Sequence, residues 1–192
     1  MTESKDTLIN KARAAVFGSF VGDSLALGVH WIYDTEEIVR DYGRVTNLID
    51  PSPELYHPNR KKGEFTHYGD QTLVLLESIA DRGEFDPEDL SHRWRALFEN
   101  YDGYIDQATR STLRNYSLGK NWKEAGSSSG DLAGASRIAP LLYRYSNDLE
   151  TLIQSSRTQT MITHNHPEVL QGAEFSQGVH LKYFMAKSQL RQ

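Results

Sequence analysis

No stretch of this chain alternates apolar and polar residues between hairpin turns. Apolar residues recur instead at three- and four-residue spacing from one end to the other, which is the helical period. Residues 6–29, "DTLINKARAAVFGSFVGDSLALGV", place Ala14, Phe17, Val21 and Leu25 on one expected face. Gly18, Gly22 and Gly28 interrupt good helix formers there. Each costs up to ~1 kcal/mol against Ala in a helix, so close backbone packing or a break near Gly22 is expected. Asp86-Pro87-Glu88 is a helix start with Asp as cap and Pro at the first helical position. That helix runs to Asp102-Gly103, and another fills roughly 104–117. "NWKEAGSSSGD" (121–131) reads as a Gly/Ser connector ending in a capping Asp131, and 146–162 is again amphipathic. The expected fold class is all-α, a compact multi-helix bundle forming a single domain across 1–192.

Composition narrows the setting. The chain has 192 residues, 38% apolar and 24% charged, with a net charge of -5 and dispersed basic residues. "NRKKG" (59–63) is a small basic cluster in a loop that holds three of the six prolines (50–65), so a nucleic-acid surface is not expected. No run approaches the ~18 consecutive apolar residues of a membrane helix, and the first residues lack a secretory layout. With no Cys there is no thiolate nucleophile or thiolate zinc site, and a cytoplasmic location is the expectation.

Four stretches depart from plain helical patterning: "GSFVGDSLALGVHW" (18–31), "GEFTHYGDQTLVLLESIA" (63–80), "GSSSGDLAGASRIAPLLY" (126–143) and "THNHPEVLQGAEF" (163–175). In that order and spacing they resemble the ADP-ribosylglycohydrolase family, most closely its crystallin-like branch, over about residues 11–175. The resemblance implies a compact all-α fold that cleaves the bond joining ADP-ribose to a side chain or small molecule. It also implies two Mg²⁺ ions, held by a Thr-Asp-Asp-Thr run at a helix start and by an Asp-rich motif near the C-terminus. Those first four positions fall on Gly69-Asp70-Gln71-Thr72, of which Asp70 and Thr72 match. The chain stops at "VHLKYFMAKSQLRQ" before any segment like the second motif, so the expected fold is C-terminally incomplete.

By this resemblance Asp70 is the candidate catalytic carboxylate and, with Thr72, the candidate Mg²⁺ ligand. Asp23, Gln71, Ser127, Ser128, Ser129, Gly130 and His164 are the candidate substrate-binding residues for ADP-ribose or an ADP-ribosylated substrate. Each has a plainer reading. Asp70 before "QTLVLLESIA" suits an N-cap, and Asp23 a buried or capping role. "SSSGD" suits either a phosphate cradle at a helix N-terminus or a flexible connector. His164 and His166 do not share a helix face, and zinc would need a further ligand. His30, His57 and His67 have no assigned place. Neither a strained nucleophile elbow nor a Gly-x-x-x-x-Gly-Lys-Ser/Thr loop occurs. The rival functions are ADP-ribose or nucleotide binding without turnover, and a crystallin-like structural role. An apolar face left uncovered would favour self-association.

Overall fold

The structure, a computed structural model, describes residues 5–176 and 178; the closing segment "VHLKYFMAKSQLRQ" lies outside them. α1 (Lys5–Ala26) runs into a 3-10 turn (Leu27–Val29), followed by α2 (Thr35–Asp41), α3 (His67–Arg82), α4 (Pro87–Leu97) and α5 (Gln107–Ser117). A 3-10 helix (Leu132–Arg137), α6 (Ala139–Arg144), α7 (Leu149–Met161) and a helical stretch from 167 complete the described chain. The described residues form no strand; one parallel bridge joins Ser127 to His164. The all-α expectation holds.

α3 is central. It buries Val74, Leu75 and Ile79 against Leu90 and Trp94 of α4, Leu141 and Leu142 of α6, and Leu152 of α7. Each such side chain removed from water contributes roughly 1.5–3 kcal/mol before conformational entropy is subtracted. α3 starts at Thr66, whose Oγ1 accepts from the Tyr68 N–H at 3.1 Å, and ends at Gly83 in the left-handed region. Asp70 is therefore not the cap; its own N–H already bonds the Thr66 carbonyl inside the helix. A carboxylate in this first turn still meets a favourable helix dipole. Asp86 caps α4 as the sequence suggests, Asp148 caps α7, and Asp131 caps a 3-10 helix rather than an α-helix. α5 begins at Gln107, three residues later than expected, because Asp106 is its cap.

α1 corrects the sequence reading twice. It does not break at Gly22 but continues to Ala26, and the change of geometry comes in the 3-10 turn Leu27–Val29, around Gly28. A Cβ on Gly28 would meet Ile49 Cβ and the Ile49 carbonyl oxygen at 2.7 Å, so glycine is needed for close approach. The buried row is Leu8, Ala12, Val16, Ser24 and Leu27, turned toward α6 and α3. Phe17 and Val21 of the expected face are instead 65% and 61% exposed. Both faces of α1 carry apolar residues, so periodicity alone could not choose between them. The stretch Thr7–Val29 is long and apolar enough to cross a membrane by length and composition. In this fold its inner row packs on helices of the same domain.

Candidate functional site

α1 delivers Asp23 to the start of α3. Its two carboxylate oxygens accept from the Thr66 N–H at 2.8 Å and from the Thr66 hydroxyl at 2.6 Å. Burial pushes the Asp23 carboxyl up, and the Thr66 bonds oppose that shift. Gly69 sits directly against it: a Cβ at 69 would collide with Asp23 Oδ2 and Phe65 Cβ. Asp23, Tyr68, Gly69 and Thr72 line a cavity of about 290 Å³ with Ser19, Phe20 and Ser136. Ser136 comes from the 3-10 helix that follows the Ser/Gly loop.

Asp70 faces elsewhere. Its Oδ2 accepts from Arg60 Nη2 and from the Tyr101 hydroxyl, each at 2.6 Å. The Arg60 and Asp70 side chains are only 14% and 17% exposed. Burial raises the Asp70 carboxyl, while Tyr101 and Arg60 pull it back down. One carboxylate thus clasps three segments: the Pro-rich loop, α3 and the loop after α4.

Gln71 and Thr72 turn inward. Gln71 Nε2 donates to the His67 carbonyl at 2.8 Å, and its Oε1 accepts from Trp94 Nε1 at 2.6 Å and from Arg137 Nη1. Thr72 Oγ1 donates to the Tyr68 carbonyl at 2.8 Å while its side chain borders the cavity. Gln71 is thus a core linker rather than a cavity residue. Arg137, which the sequence reading passed over, is fully buried, and desolvation lowers it to about 10. Its second amino group reaches Thr163 Oγ1. The signal for it was a lone Arg inside the apolar run "RIAPLLY".

Ser127 is buried and bound into the scaffold: its N–H donates to the Thr163 carbonyl at 2.9 Å, and its own carbonyl accepts from Asn165 N–H at 2.7 Å. Its hydroxyl also reaches the Thr163 carbonyl at 3.0 Å. Ser128 and Gly130 are exposed, and Ser129 is half-buried. His164 is buried with Nδ1 2.9 Å from Thr163 Oγ1 and Nε2 unbonded, and burial beside Arg137 lowers it to about 4. A Cβ on Gly134 would meet the His164 ring at 2.8 Å, which explains the small residues of this 3-10 helix. His30, His57 and His67 assemble into one aromatic cluster with Trp31, Tyr56, Tyr68 and Tyr104. His30 Nδ1 lies 2.7 Å from His57 Nε2, and burial lowers both rings to about 4. Trp31 holds a left-handed φ of 67° within this stack. His67 Nε2 lies 3.3 Å from Asp106, whose carboxyl stays well below the usual range although burial opposes that.

The family sequence model described as ADP-ribosylglycohydrolase matches residues 4–181. The chain belongs to the ADP-ribosylglycohydrolase family. An uncharacterized protein of Archaeoglobus fulgidus is 30% identical over 164 residues, covering 85% of this chain and 52% of that protein. Crystallin J1A of Tripedalia cystophora is 32% identical over 106 residues, covering 52% of this chain and 32% of the crystallin. A solved ADP-ribosylglycohydrolase-related protein complex superposes with a TM-score of 0.74 at 25% identity, covering 93% of this chain and 58% of that one. This ADP-ribosylglycohydrolase domain thus matches between about a third and three-fifths of the length of these relatives.

The Mg²⁺ that the family implies needs several hard oxygen donors free at one point, in near-octahedral order. Here Asp70 Oδ2 is taken by two protein donors, Gln71 Oε1 by two more, and Thr72 is bonded to its own helix. Among the described residues no group of three or more His, Asp and Glu could hold an ion. This donor set does not fit a metal centre.

Proposed function

We propose that this domain binds ADP-ribose, or the ADP-ribosyl part of a modified substrate, between α1, the start of α3 and the 3-10 helix. One observation carries the reading. Asp23, Thr72 and Ser136 come from three of the four segments that resemble the family, and they line one cavity. His164 of the fourth segment packs behind that wall on Gly134. Asp23 is the carboxylate on the cavity, so we assign to it the role the sequence suggested for Asp70. Thr66 orients it, and its raised affinity for a proton suits a group that accepts and returns one.

In the proposed reaction water adds at the anomeric carbon of ADP-ribose as the glycosidic bond to the acceptor breaks. The acceptor leaves with a proton. Asp23 would hold a ribose hydroxyl or the incoming water, and the exposed Ser128 and Gly130 would face the phosphates. Titration calorimetry with ADP-ribose tests this. Asp23→Asn should weaken binding at least about tenfold, the loss of roughly one charge-assisted hydrogen bond. Wild-type protein that is folded yet binds no ADP-ribose would sink the proposal.

A second reading has its own support. Asp70 and Gln71 are spent inside the protein, and crystallin J1A is among the relatives. On that reading the domain binds without turnover or only packs, and ADP-ribosyl substrate stays uncleaved in a hydrolysis assay. We also propose a cytoplasmic setting, which the Cys-free composition suits, and self-association through the exposed row of α1.

A further inference from the structure

We infer that Arg60 is the resident cation of Asp70: its guanidinium, brought in by the Pro-rich loop, occupies the place at this carboxylate that a divalent ion would need. The geometry carries the argument. Arg60 Nη2 and the Tyr101 hydroxyl both reach Oδ2 at 2.6 Å, so that oxygen already has two short, charge-assisted partners. Gly103 makes the approach feasible, because a Cβ there would meet both Arg60 Nη2 and the Tyr101 hydroxyl at 2.6 Å. Arg60 also lies over the Tyr101 ring, 5.2 Å from its centroid, and 3.8 Å from Asp102. Asn59, the neighbouring residue, donates to the Asp102 carbonyl at 3.1 Å and pins the loop in place. The guanidinium is thus held from several sides rather than hanging from one contact.

A fixed guanidinium and a bound Mg²⁺ exclude each other here. Both carry positive charge, and both would claim the same oxygen. A metal could enter only by expelling Arg60 from a site where it is 14% exposed, leaving a charge that must find new solvation. Arg60 is a positioning residue: it fixes Asp70 and ties the 50–65 loop to α3, with no ion required. The inference deepens the reading above, since it concerns the carboxylate next to the proposed cleft. Its test needs no ADP-ribose, so the two can fail separately.

The experiment is Mn²⁺ binding to the full chain, read by electron paramagnetic resonance of free Mn²⁺. Wild type, Arg60→Met, Arg60→Lys, Tyr101→Phe and Asp70→Asn are compared, with circular dichroism to confirm folding. Wild type should show no site that Asp70→Asn removes. Arg60→Met, which keeps the stem and removes the charge, should gain a Mn²⁺ site at least about tenfold tighter than any residual binding by wild type, a difference of about 1.4 kcal/mol. Arg60→Lys should stay like wild type, since a cation remains. Tyr101→Phe removes one hydrogen bond but not the cation, so it too should stay like wild type and serves if Arg60→Met does not fold. A wild-type Mn²⁺ site abolished by Asp70→Asn would overturn the inference. So would a folded Arg60→Met no better than wild type, or a Tyr101→Phe that gains as much as the loss of charge is expected to.

Discussion

Gly69 and Asp23 stand so close together that a Cβ on the glycine would collide with the Asp23 carboxylate. The family resemblance places a threonine at position 69, and this chain has no room for it. Asp23 spends both oxygens on Thr66 and sits half-buried, so it cannot swing away without stranding a charge.

Gly69→Thr should therefore destabilise the domain by roughly 2 kcal/mol or more, through overpacking against Asp23 and Phe65. Urea unfolding followed by circular dichroism measures the change. Combining it with Asp23→Ala, which clears the carboxylate, should recover part of the loss and give a coupling of at least ~0.5 kcal/mol. Strict additivity would show that the two residues do not press on each other.

Gln71 holds together two donors that have nowhere else to go. Gln71→Ala would leave Trp94 Nε1 and one arm of the buried Arg137 without their acceptor. Each orphaned group costs ~1–3 kcal/mol, so a loss of about 3 kcal/mol is expected. At ~2–4 °C per kcal/mol for a domain of this size, Tm should fall by roughly 6–12 °C. ADP-ribose affinity, measured by calorimetry below the new Tm, should change less than threefold (~0.65 kcal/mol). A larger affinity loss in a folded variant would place Gln71 in the binding site after all.

The contrast between positions 69–72 shows what the sequence could and could not reveal. Helix existence was legible at α3, α4 and α7 because apolar spacing is a local property, and at α4 the Asp86 cap was legible too. Three of the matching segments do bring residues to one cavity, with Asp23, Thr72 and Ser136 on its wall. Which way each side chain points was not legible. Asp70 and Gln71 are adjacent, yet one meets Arg60 and Tyr101 while the other meets Trp94 and Arg137. Those partners lie 10 to 66 residues away, and no local pattern encodes them. The three scattered histidines are the same case: nothing in their spacing announces that His30 and His57 share a contact of 2.7 Å. On α1 the sequence offered two apolar rows, and only tertiary packing selected Leu8, Ala12 and Val16 for burial.

Those histidines make stability depend on pH with a definite sign. His30, His57 and His164 are lowered from 6.5 to about 4 in the fold, chiefly by burial. The unfolded chain therefore takes up protons that the native state refuses as pH falls from 6.5 toward 4. Stability from these groups is present above 6.5 and is lost across that window. Asp23 and Asp70 act in the opposite sense, since burial raises both and the fold binds their protons more readily than the unfolded chain. Three histidines against two carboxylates should leave a net fall of a few kcal/mol between pH 6.5 and 4.5, on the order of 1 kcal/mol per histidine after partial cancellation. Urea midpoints at several pH values measure it, and His57→Gln should flatten the slope. A midpoint that rises on acidification would contradict the assignment.

The exposed row of α1 yields the last prediction. Phe17 and Val21 are 65% and 61% exposed, and a Cβ on Gly18 or Gly22 would meet nothing within 4 Å. A helix face with two large apolar side chains beside two glycines presents a shallow seam into which another helix can settle closely. Burying it in a pairing of two copies would remove apolar surface from water at ~25 cal/mol per Å². Sedimentation velocity across a concentration series should show association in the wild-type chain. Phe17→Glu with Val21→Lys should shift it toward monomer, because each charge would have to be desolvated at the seam. Both residues face outward, so Tm at low concentration should move by no more than about 2 °C, the equivalent of ~0.5 kcal/mol. A wild-type chain that stays monomeric at high concentration would show that the face does not pair with itself.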